Sequence, residues 1–394
     1  MSHLVDAVRI VKNLAQSTDV IADASRSHNV KVMLSMLGPA ARGFLLQKGK
    51  GSHGADIRSP QTAHFVWDYT SDLPALNRLY EAAKRDQWNS TTALDWSTTV
   101  DPFDEDKELV SDAIMPLNEF RQIRTLDKEE KRRQKHGFVA WLLSQFLHGE
   151  QGALFAACQV TEAVPWIDGK LYGSTQVVDE GRHVEVFHRY LHEKLEKQYQ
   201  INDNLYVIID ALMSDSRWDM KFLGMQIMIE GLALGAFQTI RQNSKEPLLK
   251  ELLKYVITDE ARHVHYGVVA LGNYYKEVLD AHARKEREDW AYEVTVLLRN
   301  RFLAHELYDE YYGHLISRRR WNQIILGSAY MSFFRETMFK RIIPNLRKIG
   351  LLPARLHRHY EALGLMQYAT NKDASELTAA DLLDDRPLPR GAAS

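Results

Sequence analysis

The chain has 394 residues, 45% apolar and 26% charged, a composition that excludes disorder as the main state. Its 50 basic and 52 acidic residues nearly cancel, which leaves no overall basic field to attract nucleic acid or an anionic membrane. The single cysteine, Cys158, excludes a disulfide framework and a cysteine-based zinc site. We therefore expect a cytoplasmic protein with no signal peptide and no membrane-spanning segment.

Apolar residues recur at intervals of three and four almost throughout the chain, which is typical of α-helices. In chain order the pattern predicts helices near residues 18–36, 60–85, 104–130, 134–163, 168–198, 216–242, 246–278, 281–312, 318–342 and 353–364. Between them, residues 48–60 are predicted as a loop and residues 87–104 as a packed, aromatic loop. The sequence thus predicts an all-α protein.

One pattern of charged residues occurs twice within these helices. Asp-Glu-x-Arg-His spans residues 179–183 and again residues 259–263, which are 80 positions apart. Glu150 and Glu230, also 80 positions apart, each precede the glutamate of one copy by 30 positions. The repeated unit is therefore a glutamate followed, thirty positions later, by Glu-x-x-His.

The spacing within each unit predicts an antiparallel helix hairpin. The midpoint of the first unit is Pro165, and that of the second falls within residues 243–247, which end in a proline. Proline ends helices, so each hairpin turns there. Fifteen residues at about 1.5 Å each place both glutamates of a hairpin at the same height, about 22 Å from its turn. Within Glu-x-x-His, positions i and i+3 share one helix face.

The four faces that carry these residues are otherwise apolar. They comprise Leu143, Phe146, Glu150, Ala153 and Ala157; Gln176, Glu180, His183, Phe187 and Leu191; Leu223, Ile227, Glu230, Leu234 and Phe237; and Leu253, Val256, Glu260, His263 and Gly267. An ionised carboxylate on an apolar face is costly unless it is paired or bound to a metal. Four glutamates would neutralise two divalent cations.

Carboxylate and imidazole ligands without a thiolate suit iron or manganese better than zinc or calcium. We therefore predict two iron ions, with manganese as an alternative at one site. The predicted metal ligands are Glu150, Glu180, His183, Glu230, Glu260 and His263.

One glutamate from each of two helices and Glu-x-x-His from each of two others resembles the ferritin-like di-iron carboxylate superfamily, over residues 134–280. The resemblance implies a ferritin-like four-helix bundle core with additional N- and C-terminal helices. We predict a helical extension at residues 1–133, the bundle at 134–280, further helices at 281–370 and a disordered tail at 371–394.

The resemblance also implies residues that support the ligands. In that superfamily each aspartate of the repeated pattern accepts a hydrogen bond from the ligand histidine of the other copy, and the arginines brace the aspartates. The implied supporting residues are Asp179, Arg182, Asp259 and Arg262. The implied pairs are Asp179 with His263 and Asp259 with His183.

The sequence does not assign the protein to one branch of the superfamily, because it departs from the pattern of each well-known branch. Phe187 stands where the small subunit of ribonucleotide reductase has its radical-forming tyrosine. Residues 231–234 carry no hydroxyl where multicomponent monooxygenases and acyl-carrier desaturases have a threonine. Val256 stands where arylamine N-oxygenases have an additional histidine ligand.

The leading interpretation is a non-haem di-iron oxygenase or oxidase that uses dioxygen to hydroxylate, N-oxygenate or oxidatively cleave a small organic substrate. Its catalytic groups would be Glu150, Glu180, Glu230 and Glu260. Its substrate pocket would be lined by Leu143, Phe146, Phe187, Leu234 and Phe237. The alternatives are an iron-oxidising or peroxide-detoxifying ferritin-like protein and an acyl desaturase. A substrate-sized cavity beside the metals would favour the oxygenase.

The partners follow from what the sequence lacks. No G-x-G-x-x-G follows a strand, and one cysteine cannot hold an iron–sulfur cluster. Electrons would come from a separate reductase or ferredoxin, or from the substrate itself. We expect a homodimer that binds neither nucleic acid nor membranes.

Overall fold

The protein is described by a computed structural model that covers residues 2–23, 28–51, 54–104, 106–111 and 126–384. Every regular element within these ranges is a helix, so the predicted all-α class is confirmed. The helices are α1 (Ser2–Asp23), α2 (Val30–Ala40), α3 (Pro74–Arg85), α4 (Lys128–Ala163), α5 (Ile167–Tyr190), α6 (Asp203–Ser214), α7 (Trp218–Asn243), α8 (Pro247–Asn273), α9 (Ala281–Arg301), α10 (His305–Tyr311), α11 (Arg318–Leu326), α12 (Ala329–Phe334), α13 (Lys340–Lys348), α14 (Ala354–Ala362) and α15 (Ala379–Leu382).

Four of these helices form a bundle. Helices α4 and α5 pack along their length as one hairpin, and α7 and α8 form the second. The hairpins face each other through contacts of α5 with α8 and of α4 with α7. Additional helices cover the bundle: α3 packs on α5 and α8, and α13 packs on α7. The predicted four-helix bundle core with additional N- and C-terminal helices is confirmed.

Both hairpin turns lie at the predicted prolines. Pro165 falls between the end of α4 and the start of α5, and Pro247 is the first residue of α8. The Glu246 carboxylate caps α8 by accepting hydrogen bonds from the backbone N–H groups of Leu248, at 2.8 Å, and Leu249, at 2.6 Å. Such caps satisfy donors that have no partner within the helix, so the turn is well defined.

Helix α7 contains a π-helical segment, Leu223–Ile229, directly before Glu230. Each π turn holds an extra residue, which rotates the side chains that follow relative to a regular α-helix. Helix α7 is also the one helix among the described residues that is long and apolar enough to cross a membrane, but its apolar stretch is entirely buried inside the protein. Its composition is therefore that of a core helix.

Several predicted elements differ from the structure. Residues 60–73 were expected to be helical, but they are extended, and the helix begins only at Pro74. Phe65, Trp67 and Tyr69 alternate along this stretch, which is the period of an extended chain rather than a helix. Helix α6 was not predicted, because apolar residues cover most of its faces and blur the period of 3.6.

The predicted helix at 104–130 lies partly outside the described residues, which omit 105 and 112–125. Residues 106–111 are not helical, and α4 begins at Lys128 with Asp127 as its N-cap.

The C-terminal segment was expected to be disordered from residue 371. Residues 371–384 instead pack on the core. The backbone N–H of Ala374 donates to Asn345 Oδ1 at 2.8 Å, and Gln238 Nε2 donates to the carbonyl oxygens of Asp381 and Leu382 at 3.0 and 2.8 Å. These hydrogen bonds hold residues 371–384 on the core. They depend on particular partners in the fold, which the polar composition of the segment does not reveal. Residues 385–394 lie outside the described ranges.

Candidate metal centre

The six predicted ligands meet in the middle of the bundle. Helix α4 supplies Glu150 and α7 supplies Glu230, whereas α5 and α8 each supply a glutamate and a histidine. None of the six is more than 5% exposed. The structure therefore brings four carboxyl groups and two imidazoles together away from solvent.

The ligand atoms form two groups that share a carboxylate. Atoms of Glu150, Glu180, His183 and Glu260 lie within 4.8 Å of one another, and so do atoms of Glu180, Glu230 and His263. Each group has the ligand types and spacing for one metal ion.

Glu180 and Glu260 lie between the two imidazoles. Glu180 Oε1 is 3.1 Å from His263 Nδ1, and its Oε2 is 3.4 Å from His183 Nδ1. Glu260 Oε1 is 3.1 Å from His183 Nδ1 and 3.7 Å from His263 Nδ1. These are the positions that bridging carboxylates occupy when they serve two ions.

Several buried atoms of this cluster have no hydrogen-bond partner. They are Glu180 Oε2, Glu230 Oε2, both carboxylate oxygens of Glu260 and His263 Nδ1. A buried polar atom without a partner costs roughly 1–3 kcal/mol, and a charged one costs more. Five such atoms converging on one point fit two bound metal ions, which would satisfy them all.

The pKa shifts also indicate a site that requires cations. Burial and the neighbouring Glu260 raise the pKa values of Glu150 and Glu230 well above the usual range. Burial also raises the pKa of Glu180, but His263 and His183 outweigh it and hold that pKa below its usual value. Without metal ions, the carboxyl groups thus depend on protons and imidazolium ions for neutrality.

Each imidazole faces an aspartate of the other hairpin. His183 Nε2 lies 3.2 Å from Asp259 Oδ2, and His263 Nε2 lies 3.1 Å from Asp179 Oδ2. These contacts leave both Nδ1 atoms pointing into the cluster, as metal ligation requires. The guanidinium groups of two arginines hydrogen-bond the aspartates three positions before them, Arg182 to Asp179 and Arg262 to Asp259.

Two further residues that were not predicted from the sequence hold the cluster. Gln87 Nε2 donates to Asp179 Oδ1 at 3.2 Å, and Trp88 Nε1 donates to Asp259 Oδ2 at 2.8 Å. Both side chains lie in the predicted aromatic loop, which the fold places over the imidazole end of the cluster.

Gln176 lies on one of the predicted apolar faces and contacts two of the ligands. Its Nε2 donates to Glu180 Oε1 and to Glu230 Oε1, both at 3.0 Å, and its Oε1 accepts from Gln226 Nε2 at 3.3 Å. Gln226 lies in the π-helical segment. The only sequence signal was a polar residue one turn before a ligand on an apolar face.

The predicted substrate pocket is filled rather than open. Phe146 and Phe237 have ring centroids 4.6 Å apart, and Phe187 stacks on Phe237 at 5.6 Å. Leu143 and Leu234 are also buried. The cavity that does adjoin the cluster has a volume of about 10 Å³ and touches only Phe146 of these five residues. Aromatic packing has closed the space that the apolar pattern had suggested.

That cavity lies on the side of the cluster away from the imidazoles. Glu150, Glu230 and Glu260 form its floor, and neither histidine lines it. Its walls are mostly small or apolar, and they include one cationic residue, Arg301. A molecule in this cavity would approach the two metal positions from the glutamate side.

No protein-family model and no curated protein sequence matches the chain. Solved structures of R2-like ligand-binding oxidases are similar to it. One is a single-residue variant with aerobically reconstituted Mn/Fe cofactor (TM-score 0.42, 19% identity, 67% of this chain and 93% of that chain). Another has an aerobically reconstituted metal cofactor after photoconversion (TM-score 0.41, 18% identity, the same coverage).

Two helix hairpins bring together four buried glutamates and two buried histidines, and each hairpin supplies the aspartate that faces the other's imidazole. This is the arrangement of a ferritin-like dimetal carboxylate protein.

Proposed function

We propose that the protein is a non-haem dimetal oxidase or oxygenase that activates dioxygen and oxidises a small organic substrate. The observation that carries the proposal is the buried cluster of six ligand side chains with a cavity over its glutamate side. We propose iron at both positions, with manganese as an alternative at one, because carboxylate and imidazole ligands suit these metals. When bound, the two ions would supply electrons that reduce dioxygen.

The protein's own residues would do three things in this reaction. The four glutamates and two histidines hold the ions, and Asp179 and Asp259 fix which imidazole nitrogen faces them. The packed rings of Phe146, Phe187 and Phe237 exclude water from one side of the cluster. Water exclusion protects reactive intermediates from side reactions.

Iron storage or detoxification is the main alternative. It would require a path by which iron ions reach the centre, and acidic residues would favour such a path. Above the three glutamates of its floor, the walls of the cavity carry no acidic residue and one arginine, which repels cations. This lining favours an organic substrate. A cavity of about 10 Å³ is smaller than an organic substrate, so its size supports neither the oxygenase nor an acyl desaturase, which would need a long channel.

Three further proposals come from the sequence alone. The chain has a single cysteine, so electrons would come from a separate reductase or ferredoxin, or from the substrate. We also propose a homodimer and a cytoplasmic location.

The test combines metal analysis with product analysis. Protein loaded anaerobically with ferrous iron should bind about two ions per chain, by elemental analysis. On exposure to air it should consume dioxygen slowly alone and faster with the right substrate, whose oxidised product mass spectrometry detects. The Glu180→Ala protein serves as a control that should not respond. Ferric iron accumulating well beyond two ions per chain, at a rate that ignores every organic additive, would establish iron handling instead.

A further inference from the structure

Arg301, the last residue of α9, lines the small cavity beside the candidate metal centre. Its side chain is only 3% exposed. Its guanidinium group makes no hydrogen bond or ion pair with the residues that the structure describes, and its buried Nε has no partner. Its one contact of another kind is with the ring of Phe302, whose centroid lies 5.3 Å away and which carries no counter-charge. A buried arginine almost always has a partner, so this one indicates a missing ligand.

The charge of Arg301 is not balanced by its surroundings. Burial lowers its pKa to about 10, so the guanidinium group is still charged at neutral pH. The titratable neighbour that acts on it is Tyr330, and burial raises the pKa of that phenol, which therefore stays neutral. The glutamates on the cavity floor would be neutralised by two divalent ions. A buried charge without a counter-charge is expensive to maintain.

The other polar wall of the cavity is already engaged. Gln145 Nε2 donates to the carbonyl oxygen of Gln200 at 3.0 Å, and Gln145 Oε1 accepts from the backbone N–H of Asn202 at 2.8 Å. Both the nitrogen and the oxygen of its amide therefore hydrogen-bond to the segment between α5 and α6. Arg301 is left as the one cationic donor at the cavity for a ligand.

We propose that Arg301 binds the carboxylate group of the substrate, so that the substrate is a small organic carboxylic acid. This inference rests on the proposed function. A guanidinium group presents two parallel N–H donors that match the two oxygens of a carboxylate. With the carboxylate held at Arg301, the rest of the molecule lies over Glu150, Glu230 and Glu260 and hence beside the two metal positions.

The cavity has to widen for such a ligand. A volume of about 10 Å³ holds roughly one water molecule. Gly149 marks where there is room, because a Cβ atom built there would meet no atom within 4 Å. The substrate would therefore enter along the Gly149 side of α4.

The test measures thermal unfolding of the metal-loaded protein with sodium acetate, butanoate or hexanoate. Potassium chloride at equal ionic strength and butanamide are the controls. At saturation, at least one carboxylate should raise the unfolding temperature by about 4 °C, whereas the controls should not. The Arg301→Met protein should lose this shift, and Arg301→Lys should keep part of it. Without ligand, Arg301→Met should unfold at the same temperature as the wild type or higher, because an uncompensated charge has been removed.

Three results would overturn the inference. The first is a wild-type protein whose unfolding temperature none of the three carboxylates changes. The second is an Arg301→Met protein that keeps the full shift, because the anion then binds the metals directly. The third is an Arg301→Met protein that unfolds several degrees lower without ligand, because the arginine is then structural. Elemental analysis of the same samples separates this inference from the proposed function. Two metal ions per chain without a carboxylate effect remove only the role of Arg301, whereas absence of metal binding removes the proposed function.

Discussion

The indole Nε1 of Trp88 donates a hydrogen bond of 2.8 Å to Asp259, to the same carboxylate oxygen that faces His183 Nε2 at 3.2 Å. Trp88 itself is held between two neighbours. Its ring stacks on Tyr255 at a centroid distance of 4.8 Å, and the Arg182 guanidinium group lies 5.1 Å from its centroid on a face. A loop residue outside the bundle thus fixes the carboxylate that orients one imidazole of the cluster.

Trp88→Phe should keep the stacking with Tyr255 and remove only the N–H donor. Because Asp259 then has one fewer donor to fix it, we expect metal affinity to fall by about 3- to 10-fold, with the fold unchanged. Competition with a chelator measures the affinity. Trp96→Phe is the matched control, since Trp96 Nε1 donates to the carbonyl oxygen of Ser90 and not to the cluster. Equal effects of the two changes would contradict this role.

Asp259→Asn should have a larger effect than the change at Trp88. The imidazole of His183 loses its negatively charged partner, and such losses reduce metal affinity or turnover by about 10- to 100-fold. Circular dichroism should report an intact helical fold. Asp86→Asn is the control, because Asp86 lies 3.9 Å from Arg262 at the protein surface but contacts no imidazole. An unchanged iron titration of the Asp259→Asn protein would contradict this prediction.

Glu180→Ala and Glu260→Ala should each lose most of one metal ion, because each glutamate lies between both imidazoles. Elemental analysis after iron loading should fall from about two ions per chain to about one or fewer. Glu251→Gln on the solvent side of α8 should retain both ions, since Glu251 pairs with Lys254 and is not one of the clustered residues. Full metal content in the alanine variants would mean that these carboxylates do not hold the ions.

Gly149→Ala and Gly152→Ala should separate cavity filling from packing. A Cβ atom at Gly149 meets nothing within 4 Å, so the methyl group fills the cavity beside the cluster, and the helix gains about 0.5–1 kcal/mol. Dioxygen consumption should slow although stability rises. A Cβ atom at Gly152 would approach Ile209 Cδ1 to 2.9 Å and should lower stability instead. Denaturant unfolding and an oxygen electrode measure both quantities. A Gly149 variant with undiminished turnover would show that this cavity is not used.

Lys221 should make stability depend on pH. Burial lowers its pKa from 10.5 to about 8, although its Nζ donates to the carbonyl oxygens of Leu212 and Met213 at 3.1 and 3.3 Å. Because the unfolded chain binds the proton more tightly, this lysine's contribution to stability rises between pH 8 and pH 10.5 and is constant below that window. The Lys221→Met protein lacks the rise, so its stability relative to the wild type should be about 2 kcal/mol more favourable at pH 7.5 than at pH 10. A pH-independent difference would contradict the shift.

The sequence predicted the bundle and the six clustered side chains because they depend on local spacing. A thirty-residue interval fixes the height of two glutamates in a hairpin, and Glu-x-x-His fixes a helix face. The supporting contacts of Trp88 and Gln87 span 171 and 92 residues of sequence, and no periodicity encodes them.

The packing of the predicted pocket residues is likewise not determined by local spacing. The apolar faces showed which side chains are buried, but they did not show that Phe146, Phe187 and Phe237 pack against one another rather than around a void. Side-chain packing to high density is a property of the assembled core. Arg301 was not predicted as a site residue, because only the assembled fold shows that it is buried beside the cavity. No sequence pattern within α9 indicates this position.

The crossed contacts between imidazoles and aspartates also constrain how the protein is made. His183 meets Asp259 and His263 meets Asp179 across 76 and 84 residues of sequence. A nascent chain that has reached only the end of α5 carries half of the ligands, but its histidine still has no carboxylate to orient it. Translation must pass residue 263, and α8 must fold back on α5, before either metal position is complete. Both positions would then be completed together, and a chain that ended before residue 263 would lack a usable site.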